Sequence, residues 1–288
     1  MSRCLVTGYR GYIGSHLYDR LKEDGHSLLG IDQADGESFD LSKAYEDGNK
    51  VFEIIKDFGP EYVFHLACWP RVQYSVENPA LTMRNNVLAT SNLLEAVMSE
   101  GNLKRVIYSG SSSVVGNGDG PTNPYGLQKL ISEMECKLYS DLYGIDTITL
   151  RYFNVYSRDQ KADNAYATAI ANWMKYIREG KTPFITGDGE QRRDMLHVKD
   201  AVSANIFAME YSGKFNGQSF DVGTGDNISL NEVKDIVNKH SPSVAFDYIE
   251  ERMGDVMVTL ADSSKLKELG WQTEVSIIDG IDSCFEIF

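Results

Sequence analysis

A chain of 288 residues, 42% hydrophobic and 24% charged, has the make-up of a soluble globular protein and is long enough to bury a full core. Its formal net charge of −14 argues against nucleic acid or an anionic membrane as the main partner, so an anionic small substrate would need a local cluster of arginines. No apolar run approaches the roughly 18 residues of a membrane span. Four scattered cysteines without a C-x-x-C pair indicate free thiols in a reducing compartment, and five histidines without ligand spacing argue against a metal site. The opening MSRCLVTG enters a strand-like run at once, which leaves no room for a signal peptide and predicts a cytoplasmic location.

In chain order, Arg3–Thr7 is a short apolar run that predicts a strand. Ile13, Leu17 and Leu21 then recur at helical spacing until Gly25 ends the helix. SLLGID at 27–32 and YVFHLA at 62–67 predict two further strands, and the helix between them carries Val51, Ile54, Ile55 and Phe58 on one face. Val87, Leu88, Leu94 and Val97 predict another helix ahead of the strand RVIYSG at 105–110. Leu127, Leu130, Ile131, Met134 and Leu138 recur at helical spacing before DTITLRY at 146–152. Strands apolar on both faces, alternating with helices, predict an α/β protein with a parallel sheet covered by helices. After about residue 156 the rhythm loosens into polar SRDQKADN, a helix over 165–179, and short strands in PFITG and FDVG. Residues 1–156 are thus read as the sheet domain, and 157–288 as mainly a smaller, mixed region packed against it, with some helices returning to the sheet.

The first strand runs into TGYRGYIGSHL, where Gly8, Gly11 and Gly14 are spaced G-x-x-G-x-x-G. At a strand-to-helix junction, Gly8 permits a tight turn, Gly11 lets backbone approach a pyrophosphate, and Gly14 allows close helix–strand packing. The sheet is therefore expected to be a doubly wound, Rossmann-type one. Asp32 ends the second strand; a carboxylate there accepts hydrogen bonds from both ribose hydroxyls and repels a 2′-phosphate. No arginine or lysine follows it until Lys43, so the expected cofactor is NAD, not NADP.

Residues 109–129 read SGSSSVVGNGDGPTNPYGLQK, rich in turn formers but also holding a Tyr-x-x-x-Lys pair. The chain has three Tyr-x-x-x-basic pairs: Tyr18/Lys22, Tyr125/Lys129 and Tyr248/Arg252. Tyr18/Lys22 lies in the helix after the glycine loop and reads as surface, and Tyr248/Arg252 has no helical surroundings. Tyr125 and Lys129 share one face of a helix, one turn apart, where both can reach one reactive centre.

These segments resemble, in order, those of the extended short-chain dehydrogenases of the NAD-dependent epimerase/dehydratase family: GYRGYIGSHL, HLAC, NNVLATSNLLEA, SSSVVG, NPYGLQK, LRYFNVYS, GDGEQRRDMLHVKDAV, FDVGTG and RMGDVMVTLADSSKLKELGW. The resemblance implies Tyr125, Lys129 and Ser111 as catalytic residues. It implies a cofactor site formed by the three glycines with Tyr12, Ile13, Asp32, Asp40 and Leu41 near adenine, Leu66 and Ala67, and the Tyr125/Lys129 pair. For a nucleotide-diphosphate sugar it implies Ser111, Ser112 and Asn154, with Arg193 and Arg252 on the diphosphate. Phe184 is a stacking candidate for the base and equally a core aromatic. Helices 86–98 and 125–142 are implied as the faces of a homodimer, with monomer and dimer both left open.

Two departures bear on the substrate. Val115 stands where the family has tyrosine, and the stretch from Ser111 to Tyr125 is short, as is the loop after Asp32. The family's dehydratases carry an Asp-Glu pair where this chain has Ser112 and Ser113, and a hydroxyl does not do a carboxyl group's proton transfer near neutral pH. The leading expectation is a nucleotide-sugar 4-epimerase of the UDP-glucose/UDP-galactose type. A nucleotide-linked 4-ketosugar reductase fits the same residues, and a catalytically silent NAD-binding sensor fits them less well.

Overall fold

A computed structural model describes residues 1–70, 72–98, 100–116, 118–162, 168–251 and 256–286. The chain divides into two units, Met1–Arg151 with Val202–Phe220, and Tyr152–Ala201 with Asp221–Phe288.

The first unit is built on a six-stranded sheet: β1 (Arg3–Thr7), β2 (Ser27–Ile31), β3 (Tyr62–His65), β4 (Arg105–Ser111), β5 (Thr147–Tyr152) and, much later in the chain, β8 (Gln218–Val222). The order is β2-β1-β3-β4-β5-β8, with β1 parallel to both β2 and β3, and β3 parallel to β4. This is the expected doubly wound α/β sheet. The winding reverses between β1 and β3, so the crevice beyond their carboxyl ends is the place where such sheets bind ligands. Strand β3 is shorter than its apolar run. The Leu66 N–H still reaches the Thr7 carbonyl at 3.2 Å, but the Ala67 N–H bonds the Thr7 side chain at 3.3 Å, and the chain turns out of the sheet there.

Helix α1 (Tyr12–Glu23) joins β1 to β2, and Gly25, at φ 79°, turns the chain after it. Beyond β2 come only 3₁₀ turns at Gln33–Asp35, Glu37–Phe39 and Leu41–Lys43, so β2 is the sheet edge. Helix α2 (Val51–Phe58) buries Val51 and Ile55. Then follow α3 (Val72–Glu77), α4 (Pro79–Met83), a π-helical turn Arg84–Leu88, and α5 (Ala89–Met98). Leu5, Ile31, Ile55, Val63, Leu93 and Val106 belong to one core cluster. The expected helix over Val87–Val97 is present, but the wider turn at 84–88 shifts its register. Leu94 and Val97 are buried while Leu88 is exposed.

Helix α6 (Pro124–Tyr143) departs most from its pattern. Its apolar residues Leu127, Met134, Leu138 and Leu142 are 46%, 63%, 51% and 64% exposed. Tyr125, Gln128, Lys129, Ser132 and Glu133 are buried instead. The periodicity gives the helix, and hydrogen bonding decides which face turns inward.

The second unit is a mixed region: α7 (Ala169–Arg178), β6 (Phe184–Thr186), β7 (Arg192–Arg193), β9 (Ile228–Ser229), α9 (Leu230–His240), β10 (Asp247–Ile249), α10 (Ser264–Glu268) and α11 (Ile277–Phe285). Helix α8 (Val198–Glu210) begins in it and ends in the first unit. Strand β6 pairs parallel with β10, and β7 antiparallel with β9. Trp173, Met174, Ile185, Val233, Ile281 and Phe285 lie in its core. Among the described residues no helix is long and apolar enough to cross a membrane.

Candidate active site

The glycine loop is shaped by contacts that only glycine permits. Gly8 sits at φ 72°, and a Cβ on it would lie 2.7 Å from the Ala67 nitrogen. A Cβ on Gly14 would overlap the Gly8 carbonyl oxygen, which already accepts the Gly11 N–H at 2.9 Å. Helix α1 starts immediately after, with no side-chain cap and no acidic residue in its first turn. Its positive end is thus matched to a pyrophosphate. Tyr12 and Ile13 open that turn, half-buried. Asp32 accepts backbone N–H groups on both oxygens, from Ala34 at 3.0 Å and Arg10 at 3.3 Å, which fixes the carboxylate with lone pairs to spare for ribose hydroxyls. The cradle and this carboxylate fit a dinucleotide. Asp40 is occupied locally, capping the next turn through the Ser42 N–H at 2.9 Å and hydroxyl at 2.7 Å. Leu41 is buried in the core.

Ser111, Tyr125 and Lys129 come together in the first unit. Asn123 caps α6 by accepting the Gly126 N–H at 2.9 Å, Pro124 takes the first turn, and the buried Ser75 hydroxyl accepts the Tyr125 N–H at 3.0 Å. The Ser75 hydroxyl itself donates to the Val72 carbonyl at 2.6 Å, so α3 fixes the start of α6. The Tyr125 hydroxyl is hydrogen-bonded with Ser111. Lys129 donates to the Ser109 carbonyl at 2.7 Å and lies 4.9 Å from the centroid of the Tyr108 ring. Tyr125 is only 8% exposed and Lys129 2%. Burial pushes the Tyr125 phenol up to about 12, while the Lys129 charge and the Ser111 bond pull it back. Burial outweighs these two and leaves the phenol above its ordinary range.

Ser112 opens a 3₁₀ turn (Ser112–Val114), and its carbonyl accepts the Val115 N–H at 3.0 Å. Ser111 donates to the Ser113 hydroxyl at 3.1 Å. The short loop beyond closes through the Val115 carbonyl, which accepts Gly118 and Gly120 at 3.0 and 3.3 Å, and leaves Val115 exposed.

A buried polar chain behind this site was not foreseen from the sequence. The Thr7 hydroxyl meets His65 Nδ1 at 2.7 Å, and His65 Nε2 meets the Thr90 hydroxyl at 3.0 Å. Thr90 donates to the Asn86 carbonyl at 2.7 Å. Asn86 accepts the Trp69 N–H at 2.7 Å and donates to Gln128 Oε1 at 2.8 Å, and Gln128 donates to the Thr82 hydroxyl at 2.9 Å. The chain thus ties the strand feeding the glycine loop to the helix bearing Tyr125. Burial, helped by the Lys129 charge, pushes His65 down to about 3 and keeps it neutral. The available signal was the polar set Gln128, Lys129 and Ser132 at helical spacing, which reads as solvent-facing unless partners are known.

In the second unit Asn154, Phe184 and Arg193 line one cavity of about 290 Å³, together with Trp173, Thr186 and Gln191. Asn154, at the unusual φ of 36°, donates to the Asp194 carbonyl at 2.6 Å and the Thr259 hydroxyl at 3.1 Å. The buried Asp194 carboxylate gathers the Thr224 N–H and hydroxyl, both at 2.9 Å, with the N–H groups of Gly225 at 3.0 Å and Ala261 at 3.1 Å. That anchor fixes the strand carrying Arg193. Arg252 lies outside the described residues. Among the described residues no group of His, Cys, Asp or Glu is arranged to hold a metal.

Known proteins resemble this chain in sequence and fold. The model of the NAD dependent epimerase/dehydratase family matches residues 4–223. A putative UDP-glucose 4-epimerase of Methanocaldococcus jannaschii is 32% identical over 96% of this chain and 95% of its own. The crystal structure of UDP-glucose 4-epimerase from Thermotoga maritima with UDP-glucose superposes with a TM-score of 0.89 at 30% identity, covering 99% of this chain and 97% of that one. The UDP-glucuronic acid 4-epimerase of Bacillus cereus, in complex with UDP-glucuronic acid and NAD, gives 0.85 at 28% identity, with 99% and 98% covered. A family match across three quarters of the chain, a relative alike over nearly its whole length, and a cradle that fits a dinucleotide make this chain a member of the NAD-dependent epimerase/dehydratase family, with NAD as its cofactor.

Proposed function

We propose that the protein is a nucleotide-sugar 4-epimerase of the UDP-glucose/UDP-galactose type, with Tyr125 as the base and acid of the reaction. The observation that carries this reading is the Ser111–Tyr125–Lys129 trio, its tyrosine and lysine buried, with hydroxyls at Ser112 and Ser113 in place of carboxyl groups. NAD, held by the glycine loop and Asp32, would take up the hydride from the sugar C4 and give it back, and the positive charge of its oxidised ring would favour the Tyr125 phenolate. Tyr125 accepts the proton of the 4-hydroxyl; Ser111 holds the 4-oxygen and shares the proton path; Lys129 stabilises the phenolate. After the 4-keto sugar has turned its other face, Tyr125 returns the proton. Ser112 lacks the acidity to help expel a 6-hydroxyl, so the chemistry stays at C4.

Arg193 is assigned to the substrate's diphosphate, Asn154 to substrate binding and Phe184 to the base, and the family resemblance gives Arg252 the same diphosphate role as Arg193. The relatives' UDP-sugars support a uridine nucleotide. The exposed stripe Leu127, Met134, Leu138 and Leu142 on α6, with exposed Leu81 and Leu88 nearby in sequence to α5, is assigned to a homodimer.

The test is NMR of UDP-glucose, UDP-galactose, UDP-N-acetylglucosamine and UDP-glucuronate incubated with the purified protein and NAD. Interconversion of a 4-epimer pair without net change in NAD is the expected result. Stoichiometric consumption of NADH with a 4-keto sugar would instead favour a reductase, and silence on every nucleotide sugar would reject both enzymes.

A further inference from the structure

The rim of the cofactor cradle carries a cation that does not follow Asp32 in sequence but lies in the glycine loop itself. Arg10 is the fourth residue of TGYRG, and its backbone N–H bonds the Asp32 carboxylate. Its guanidinium turns to Asp35, with Nε 2.7 Å and Nη2 2.5 Å from the same oxygen, Oδ1. The Tyr9 hydroxyl donates to that oxygen too, at 3.2 Å. Tyr9 is held from behind: its ring leaves no room for a Cβ on Gly30, and its centroid is 5.0 Å from that of Tyr18. One carboxylate oxygen thus anchors both side chains at the tip of the loop. The Asp35 side chain is 15% exposed and the Arg10 side chain 55%, so the pair lies at the mouth of the cradle.

The two aspartates act differently. Asp32 opposes a 2′-phosphate by its own charge, as expected from its position at the end of β2. A guanidinium beside it has the opposite preference, since its planar fork pairs with phosphate oxygens. Left alone, Arg10 would offset Asp32. Held by Asp35, its charge is partly offset and its Nε and Nη2 donors are directed to the carboxylate. Of the other charges of this segment, Glu37 and Lys43 pair with each other at 3.4 Å, and Asp40 accepts both the Ser42 N–H and hydroxyl.

We propose that Asp35 is a cofactor-specificity residue: by pinning Arg10 it suppresses a latent 2′-phosphate subsite and sharpens the choice of NAD over NADP. This rests on the family cofactor and on no assignment of the sugar substrate.

The experiment is calorimetric titration of NAD and NADP into the purified wild type and its variants. Asp35→Ala is expected to tighten NADP about tenfold while NAD changes less than about threefold. Asp35→Asn, which keeps an acceptor for Tyr9 and loses only charge, is expected to show a smaller gain in the same direction. Adding Arg10→Ala to Asp35→Ala is expected to abolish the gain. Because Asp32 also opposes NADP, the Asp35→Ala step is measured in Asp32→Ser as well. An NADP-to-NAD ratio unmoved by Asp35→Ala in both backgrounds, or a gain that survives loss of Arg10, would overturn the proposal. Failure of the wild type to bind NAD at all would overturn the cofactor assignment along with it.

Discussion

Helices α6 and α7 bury opposite kinds of surface. Helix α7 follows the ordinary rule: Ile170, Ala171, Trp173 and Met174 are buried, and Lys175 and Arg178 occupy its last turn. Helix α6 buries Tyr125, Gln128, Lys129, Ser132 and Glu133, and turns Leu127, Met134, Leu138 and Leu142 outward. Buried polar groups are costly unless each finds a partner. On α6 they find them: Gln128 between Asn86 and Thr82, Lys129 at the Ser109 carbonyl, and Glu133 in a two-pronged pair with Arg151. A helix packed by its apolar side holds a unit together. One packed by its polar side fixes reactive groups in a dry environment and leaves its apolar side for another molecule.

That contrast can be tested from its strongest expected effect downward. Tyr125→Phe removes the phenolic proton and no buried partner of the fold, so turnover is expected to fall by about 10²–10⁴-fold with the melting temperature nearly unchanged. Steady-state rates beside thermal melts check it, and near wild-type activity would sink the assignment of Tyr125. Trp173→Ala on α7 is expected to act first on stability. It empties a core position and orphans the Phe184 carbonyl that Trp173 Nε1 bonds at 2.9 Å, costing about 3–5 kcal/mol by denaturant titration.

His65 links the polar network to pH. Its folded pKa of about 3 lies below the ordinary value of 6.5, so on acidification the unfolded chain takes up a proton that the folded one refuses. Its contribution is complete above pH 6.5 and is lost as pH falls, by up to about 1.4 kcal/mol per unit in that window. Comparing unfolding free energies of the wild type and His65→Asn between pH 7 and 5 isolates it; parallel profiles would show that His65 is not neutral in the fold. Gln128→Leu should cost about 1–3 kcal/mol, because the Asn86 and Thr82 groups it leaves behind are buried. The smallest effect on stability is expected from Leu138→Lys on α6, within about 0.5 kcal/mol. Its readout is assembly: sedimentation should show loss of the proposed dimer, and an unchanged sedimentation profile would remove α6 from the proposed interface.

Much of the first unit was legible in the sequence because its signals are local. The strand Arg3–Thr7, the glycine spacing and Asp32 each depend on neighbours within a few residues, and the sheet follows from their repetition. The inward face of α6 was not legible, since Gln128 is a core residue only if Asn86 and Thr82, more than forty positions away, are its partners. Arg10 was overlooked for the same reason: its role depends on Asp35, in a turn that no periodicity predicts. In the second unit, Asn154, Phe184 and Arg193 converge on one cavity although they are spread over forty residues. Motif resemblance named Asn154 and Arg193, aromatic chemistry offered Phe184, and spacing alone had no means of doing so.

The way the first unit is completed has a consequence for its synthesis. Arg105, at the start of β4, is buried at 5% exposure and pairs with Asp146 at 2.6 Å. Its remaining donors go to the carbonyls of Ala208, Tyr211 and Gly213, and its guanidinium lies 4.6 Å from the centre of the Phe215 ring. Those groups follow it by more than a hundred positions, and the sheet's last strand, Gln218–Val222, comes later still. While a ribosome is still extending the chain toward residue 200, β5 has no outer neighbour and Arg105 has only Asp146. Closing so long a loop is entropically slow, and the edge waiting for it is open to wrong pairing. A fragment ending at Arg151 is thus expected to need a chaperone where the full chain does not, and the interval between translating Arg105 and Val222 is the period in which this protein is most exposed to aggregation.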